Sequence, residues 1–359
     1  MRTDEFNYFL PPELIAQTPC EPRDHSRLLV VNRSNGSIEH KHFYDMGEYL
    51  GAGDLLVANE SRVLPARLYG HKIPTGGKVE TLLLRPVVQP EDNGAEPTVW
   101  EALVSPGRRI PDGARLGFGD PQGAAYLEAE VFERTALGGR LLRFNRPPRP
   151  LLETLGEMPL PPYIHEALAD PERYQTVYAR TEGSAAAPTA GLHFTSGLIY
   201  SLRAKGIEFA TVTLHVGLDT FRPVHEEEIE KHPMHKEWYH LPESTARVIN
   251  ATRQAGGRIV AVGTTSVRVL ETVGREQQID PQRSGIPIEP TEGWSDLFIH
   301  PGYKFRVVDA MITNFHLPKT TLLMLVSAFA GRELTLAAYN EAIKQHYRFY
   351  SFGDAMLIL

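Results

Sequence analysis

Apolar positions along this chain follow two different rhythms, and the change of rhythm divides it. In the flanks, short apolar runs alternate with stretches of helical period. Strands are predicted at Asp54–Ala58, Glu208–His215, Ile259–Val262 and Val307–Thr313. Helices are predicted over Thr195–Lys205, with Thr195 or Ser196 as N-cap and Gly206 as stop, over Ser244–Ala255, ended by Gly256-Gly257, and over Thr335–Tyr347. Two more should start at Thr264-Thr265-Ser266 and near Thr320. Strands alternating with helices argue an α/β domain. From Ala66 to Phe144 the helical period vanishes. Short strand signals at Thr81–Leu84, Trp100–Val104, Ala125–Phe132 and Arg140–Phe144 are separated by Gly, Pro and Asp clusters, and Ala136-Leu137-Gly138-Gly139 reads as a hairpin turn. An all-β block inside an α/β chain reads as an insertion. The expected division is a discontinuous α/β domain, 1–65 with 151–359, and an inserted domain, 66–150, with Pro147-Pro148-Arg149-Pro150 at the return crossing.

The predicted strand ends carry the polar chemistry. Ile259–Val262 runs into Gly263, then Thr264, Thr265 and Ser266, whose hydroxyls and amides could cap the helix or hold a polar ligand. Arg268 follows within a turn; a cation there opposes the helix dipole, which argues for a ligand rather than a structural purpose. Ala185–Phe194 ends near His193, Thr211–Gly217 contains His215, and Ala310–Pro318 contains Asn314, Phe315 and His316. Ligands of open α/β sheets bind at the carboxyl ends of strands, so these junctions are expected to share one site.

With 359 residues, 42% of them hydrophobic, the chain has material for two domains. The single cysteine, Cys20, excludes an internal disulfide and fits a reducing compartment. Met1–Phe6 has no apolar segment of the signal-peptide kind, and the strongest apolar run, Leu322–Ala330, is broken by Ser327 and spans only about half a bilayer. A soluble cytoplasmic protein with no membrane partner is expected. The net charge of −7 argues mildly against nucleic acid, but charge is local. Arg140, Arg143, Arg146 and Arg149 form a run without an acid, and Arg62, Arg67, His71, Lys72 and Lys78 a second basic stretch, both suited to RNA phosphates. Glu226–Glu230 reads as a solvated helical face.

Two glycine motifs fail on context. Leu50-Gly51-Ala52-Gly53-Asp54 precedes a strand instead of following one, so it is no dinucleotide-type fingerprint. Gly76-Gly77-Lys78-Val79 lacks the earlier glycine and the hydroxyl of a phosphate loop. No paired short spacing marks a metal site, although His193, His215 and His316 could converge from three strands.

These junctions, with Leu14–Gln17, Asn59–Leu68, Met158–Ile164, Tyr174–Ala179 and Ser351–Met356, carry a resemblance. The chain resembles the S-adenosylmethionine:tRNA ribosyltransferase-isomerases of queuosine biosynthesis, over nearly its whole length and in long ordered blocks that common superfolds do not share. The resemblance implies a mixed-sheet α/β domain with a small inserted β-barrel, and no metal or resident cofactor, since S-adenosylmethionine is consumed. It implies transfer and isomerisation of the ribosyl moiety onto the aminomethyl group of 7-aminomethyl-7-deazaguanine at the tRNA wobble position. The product is epoxyqueuosine-tRNA, with adenine and methionine released. Such chemistry needs a base, an acid for departing adenine, donors for the ribose fragment and planar surfaces for an unstacked base. His193, His215 and His316 are the expected acid–base candidates, His193 first because it follows a flexible stretch. Thr264, Thr265, Ser266, Arg268, Arg62, Tyr163, Asn314 and Phe315 are the expected substrate contacts. Arg143, Arg146, Arg149 and Lys78 are the expected RNA contacts. A monomer is expected. Two other classes stay open on the residues alone: a metal-dependent hydrolase using the histidines, and a non-catalytic tRNA-binding protein with the insert as its binding module.

Overall fold

The computed structural model describes the chain except for residues 88, 90–93, 136–137, 218–223, 225, 235 and 281–285. It separates into two compact units, one of Met1–Arg62, Pro161–Thr181 and Ala187–Leu359, the other of Val63–Leu160 and Glu182–Ala186.

The first unit is built on a mixed sheet. Its strands run, edge to edge, Thr291–Ser295, Glu237–Leu241, Glu208–Leu214, Leu55–Asn59, Ile259–Val262, Ala310–Asn314, Ala355–Ile358, Arg27–Val31 and Ile38–His42. The four from Glu208–Leu214 to Ala310–Asn314 are mutually parallel. Parallel strands are covered on both faces and therefore read as unbroken apolar runs. Every residue of Leu55–Asn59, Ile259–Val262 and Ala310–Asn314 is buried. Alternate positions (Leu56 and Ala58, Val260 and Val262, Ala310 and Ile312) share one core with Phe194, Leu198 and Leu202. Each large side chain among them contributes about 1.5–3 kcal/mol by leaving water. The helix Ser196–Ala204 is capped by Thr195, whose hydroxyl accepts the Leu198 amide at 3.0 Å.

The helix expected over Ser244–Ala255 is Glu243–Gln254, and that over Thr335–Tyr347 is Arg332–Lys344. The strand expected from Val307 begins only at Ala310. The amides of Arg306, Val307 and Val308 are turned instead to the buried Glu271 carboxylate, at 2.8, 3.0 and 3.0 Å, so they cannot join a ladder. Glu226–Glu230 is not a helical face. Only a short 3-10 turn, Ile229–Lys231, forms there, Ile229 is fully buried, and the Glu227 carbonyl accepts the Thr3 amide. The run is held as an extended segment against the N-terminus. Among the described residues no single helix is long and apolar enough to cross a membrane. The bent pair Thr321–Ala330 and Arg332–Lys344 is apolar enough together, but the two helices meet at 112°.

The second unit is a closed six-stranded antiparallel barrel. Its order is Arg67–Ile73, Lys78–Pro86, Val99–Ser105, Arg140–Phe144, Leu127–Arg134 and Arg115–Phe118, the last pairing back onto the first. Closure removes the exposed edges a small sheet would otherwise carry. It needs a glycine at position 70, because a Cβ there would overlap the Gly117 carbonyl and the Phe118 ring. Alternate residues fill the interior: Leu127, Ala129 and Val131 from one strand, Leu142 and Phe144 from its neighbour. Gly76-Gly77 makes the turn between the first two strands, with Gly76 at φ +71°, which accounts for these glycines without a phosphate. Residues Ala136 and Leu137 of the expected hairpin turn lie outside the described residues.

Candidate active site

A cavity of about 630 Å³, part of it open to solvent, lies in the first unit at the carboxyl ends of Ile259–Val262 and Ala310–Asn314. Gly263, Thr264 and Thr265 form one wall and Thr313, Asn314, Phe315 and His316 another. Ala187–Ala190, Val216, Tyr163, Tyr350 and Ser351 close it.

The first wall is a helix start. Gly263 sits at φ +85°, and a Cβ there would press on the Ala190 Cβ at 3.4 Å. The helix Gly263–Glu276 has no side-chain N-cap, so its first amides are left to whatever occupies the cavity. Ser266 is fully buried and turns its hydroxyl back to the Val262 carbonyl at 2.8 Å. Thr264 and Thr265 line the cavity instead, and the buried Thr265 hydroxyl has no hydrogen-bond partner in the protein.

The second wall centres on Asn314. Its Nδ2 donates to the Tyr350 carbonyl and to His193 Nε2, both at 3.1 Å, and its Oδ1 accepts from Thr189 Oγ1 at 3.2 Å. His193 Nδ1 meets Ser26 Oγ at 2.7 Å, and its ring stacks on Phe43 at 4.9 Å. With Nε2 as acceptor, the ring proton sits on Nδ1 and is donated to Ser26. Burial, reinforced by Arg173, Arg348 and Arg23, pushes the imidazole down to about 3, so it is neutral near pH 7. His193 stands behind the wall and is not among the residues lining the cavity.

His316 does line it. Its Nε2 lies 2.8 Å from Thr313 Oγ1, which itself donates to the Asn314 carbonyl at 3.3 Å. That direction places the ring proton on Nε2 and leaves Nδ1 as the basic nitrogen. Burial pushes this imidazole down to about 3 as well. His215 lies one residue past the strand Glu208–Leu214, stacked on Trp238 at 5.1 Å and 21°, and is not among the residues lining the cavity, although its neighbour Val216 is. The three histidines thus do not converge. Among the described residues no group of three His, Cys, Asp or Glu side chains could hold a metal ion.

Tyr163 lies against Tyr350, ring centroids 4.7 Å apart, with its hydroxyl 2.8 Å from Ser351 Oγ. The Phe315 ring packs into an aromatic cluster with Phe349 at 4.8 Å and Tyr339 at 5.2 Å. Arg268 has the structural purpose that its position against the dipole made doubtful. It forms a buried ion pair with Glu237, each side chain 7% exposed, and Glu237 also accepts the Gly217 amide at 2.8 Å. A local carboxylate outweighs an unfavourable dipole term of about 0.3–1 kcal/mol. Arg62 pairs with Glu172 at the surface.

On the barrel, Arg140 is buried and committed to the Gly139 and Gly107 carbonyls at 3.0 and 3.1 Å. The other three are exposed. Arg143 lies over the Phe132 ring at 4.7 Å, Arg146 donates to the Ala124 and Tyr126 carbonyls, and Arg149 pairs with Glu182 at 2.8 Å. Lys78 opens its strand at the surface.

Sequence reasoning passes over Tyr350 and Thr189. Tyr350 is a non-glycine residue at φ +71° whose buried hydroxyl has no partner in the protein.

The sequence profile of the queuosine biosynthesis protein family matches residues 3–358. The S-adenosylmethionine:tRNA ribosyltransferase-isomerases of Moorella thermoacetica and Symbiobacterium thermophilum are each 56% identical, over 100% of both chains. A solved structure, the S-adenosylmethionine tRNA ribosyltransferase of Thermotoga maritima, is 41% identical, covers 99% of this chain with 100% of its own, and superposes with a TM-score of 0.54.

Proposed function

The chain belongs to the queuosine biosynthesis protein family, and on that premise we propose that it transfers and isomerises the ribosyl moiety of S-adenosylmethionine onto 7-aminomethyl-7-deazaguanine in tRNA. Epoxyqueuosine-tRNA forms, with release of adenine and methionine. The observation that carries the reading is the cavity itself: it stands where an α/β sheet binds ligands, and its walls hold uncapped helix amides and the Thr265 and Tyr350 hydroxyls without protein partners.

The reaction's demands match these groups. The sulfonium acidifies the ribose 5′ protons, a base removes one, the ring opens and adenine leaves. The acceptor amine then attacks, and closure to the epoxide expels methionine. His316 is taken as the group that handles the proton, with Nδ1 as its basic nitrogen; its place among the residues lining the cavity, which His193 and His215 do not share, supports this choice. Thr264, Thr265 and Asn314 offer donors, and Tyr163 a planar surface. Arg62, Lys78, Arg143, Arg146 and Arg149 are assigned to tRNA phosphates. Catalysis is assigned to the α/β unit, expected from sequence at 1–65 with 151–359, and the barrel is taken as its insert, expected at 66–150; in the fold the compact barrel unit is wider, Val63–Leu160 with Glu182–Ala186. The enzyme acts as a cytoplasmic monomer without a resident cofactor.

The test is adenine release from S-adenosylmethionine, measured with and without tRNA carrying the aminomethyl base. Release that requires that tRNA and survives exhaustive chelation is the expected result. No release excludes the transferase reading, and loss on chelation would favour a metal-dependent hydrolase.

A further inference from the structure

Tyr350 combines three features on one cavity wall. Its backbone is held at φ +71°, a region that costs a non-glycine residue of order 1–3 kcal/mol and persists only where neighbours over-determine it. They do so here. The Tyr350 amide donates to the Phe315 carbonyl at 3.2 Å, and its carbonyl accepts from Asn314 Nδ2 at 3.1 Å and from the Gly353 amide at 3.0 Å. The residue is 4% exposed and lines the cavity. Its hydroxyl, shielded from solvent, has no hydrogen-bond partner in the protein, although a buried polar group left unpaired is normally selected against.

The unpaired hydroxyl alone does not single Tyr350 out, because the Tyr178 hydroxyl is likewise buried without a partner. Tyr350 differs in combining it with a positive φ and a place on the cavity wall, neither of which Tyr178 has, while its neighbours Tyr163 and Tyr339 are paired with Ser351 and the His316 amide. A strained backbone and an unpaired donor at the same cavity wall have one economical explanation: the missing partner is the ligand. We propose that Tyr350 is a substrate-contacting residue, its neutral phenol donating a hydrogen bond to an acceptor atom of S-adenosylmethionine, with Asn314 setting its position. Burial pushes the phenol above its ordinary range, so it serves as a donor and not as a phenolate base. The inference rests on the transferase reading and names a group that reading had not used.

Tyr350→Phe removes the hydroxyl and keeps the ring. The ligand-free melting temperature should stay the same or rise, because an unsatisfied group has gone. The upward shift of melting temperature produced by S-adenosylmethionine should shrink, and kcat/KM for adenine release should fall at least about tenfold. A Tyr350→Phe enzyme with wild-type kcat/KM and a wild-type ligand-induced shift overturns the proposal. So does a loss of activity matched by a lower ligand-free melting temperature, which would make the hydroxyl a packing element. If the wild-type enzyme, assayed beside it, releases no adenine, the transferase reading itself fails and the proposal falls with it.

Discussion

His193 Nε2 accepts a hydrogen bond from Asn314 Nδ2 at 3.1 Å, and through that contact a histidine outside the cavity sets the orientation of an amide that lines it. Protonation of His193 would bring a second N–H against the Asn314 amide and break the arrangement. The neutral form is therefore part of the fold, and depression of the imidazole to about 3 follows from its burial.

A pH dependence of stability follows. His193 and His316 are both about 3 in the fold, against an ordinary value near 6.5 in the unfolded chain. Between those limits the unfolded chain binds more protons, so stability rises with pH across that window and is lost as pH falls below about 6.5. The urea midpoint should drop from pH 7 to pH 5, and His193→Gln should flatten the drop. An equal drop in wild type and variant would show that His193 titrates normally. In the same variant, adenine release should fall while its pH profile between about 6 and 9 keeps its shape; a profile that loses a limb would make His193 the acid or base itself.

Thr265→Val tests the other cavity hydroxyl. Valine keeps the shape and removes a buried oxygen that has no protein partner. Folding stability should be unchanged or slightly higher, and S-adenosylmethionine affinity should fall by about 0.5–1.5 kcal/mol, the net worth of one hydrogen bond. Titration calorimetry at fixed pH decides it, and unaltered affinity would return Thr265 to the core.

Arg268 separates a structural from a ligand-binding role. Arg268→Ala removes one partner of a buried ion pair with Glu237, which should cost about 3–5 kcal/mol of stability. The double variant Arg268→Met with Glu237→Leu should recover most of that loss, because an apolar pair avoids the desolvation penalty. Denaturant midpoints of the single and double variants measure the coupling. An Arg268→Ala protein of wild-type stability with turnover reduced at least about tenfold would assign the guanidinium to substrate.

The same ion pair explains why part of the sheet is illegible in the sequence. Ile259–Val262 and Arg140–Phe144 are legible to their observed limits, because apolar side chains point to the core and glycine or proline lies just outside. Glu237–Leu241 and Thr291–Ser295 escape a sequence reading. Glu237 points inward to Arg268 and Ser295 to Thr272, at 2.6 Å, while Trp294 is 49% exposed, so a buried polar residue stands at one end of each strand and the apolar alternation that would mark it is broken. The site divides in the same way. Thr264, Thr265, Asn314 and His316 are found because strand ends announce themselves locally. Tyr350 is not, because its conformation depends on Asn314 and Phe315, more than thirty residues earlier.

The barrel's arginines are unequal candidates for RNA phosphates, and their partners rank them. Arg149 already faces the Glu182 carboxylate, so it must give up an ion pair to reach RNA. Arg146 is held by two backbone carbonyls, which orient the guanidinium without neutralising it. Arg143 rests on the Phe132 ring and Lys78 stands at the surface, so both keep their charge for a ligand. Neutralising Arg143 and Lys78 should therefore weaken tRNA binding more than neutralising Arg149. For every phosphate that goes unneutralised, the slope of log affinity against log salt should shrink by about 0.7–0.9. Binding of S-adenosylmethionine should stay as in wild type, since the cavity is lined entirely by residues of the other unit. Filter-binding titrations at two salt concentrations check both parts. Equal affinities and slopes in wild type and in the Arg143→Gln, Lys78→Gln variant would leave these cations as a solvated barrel surface. A larger effect from Arg149 would mean that Glu182 yields to RNA at little cost, as exposed pairs worth about 0–1 kcal/mol can.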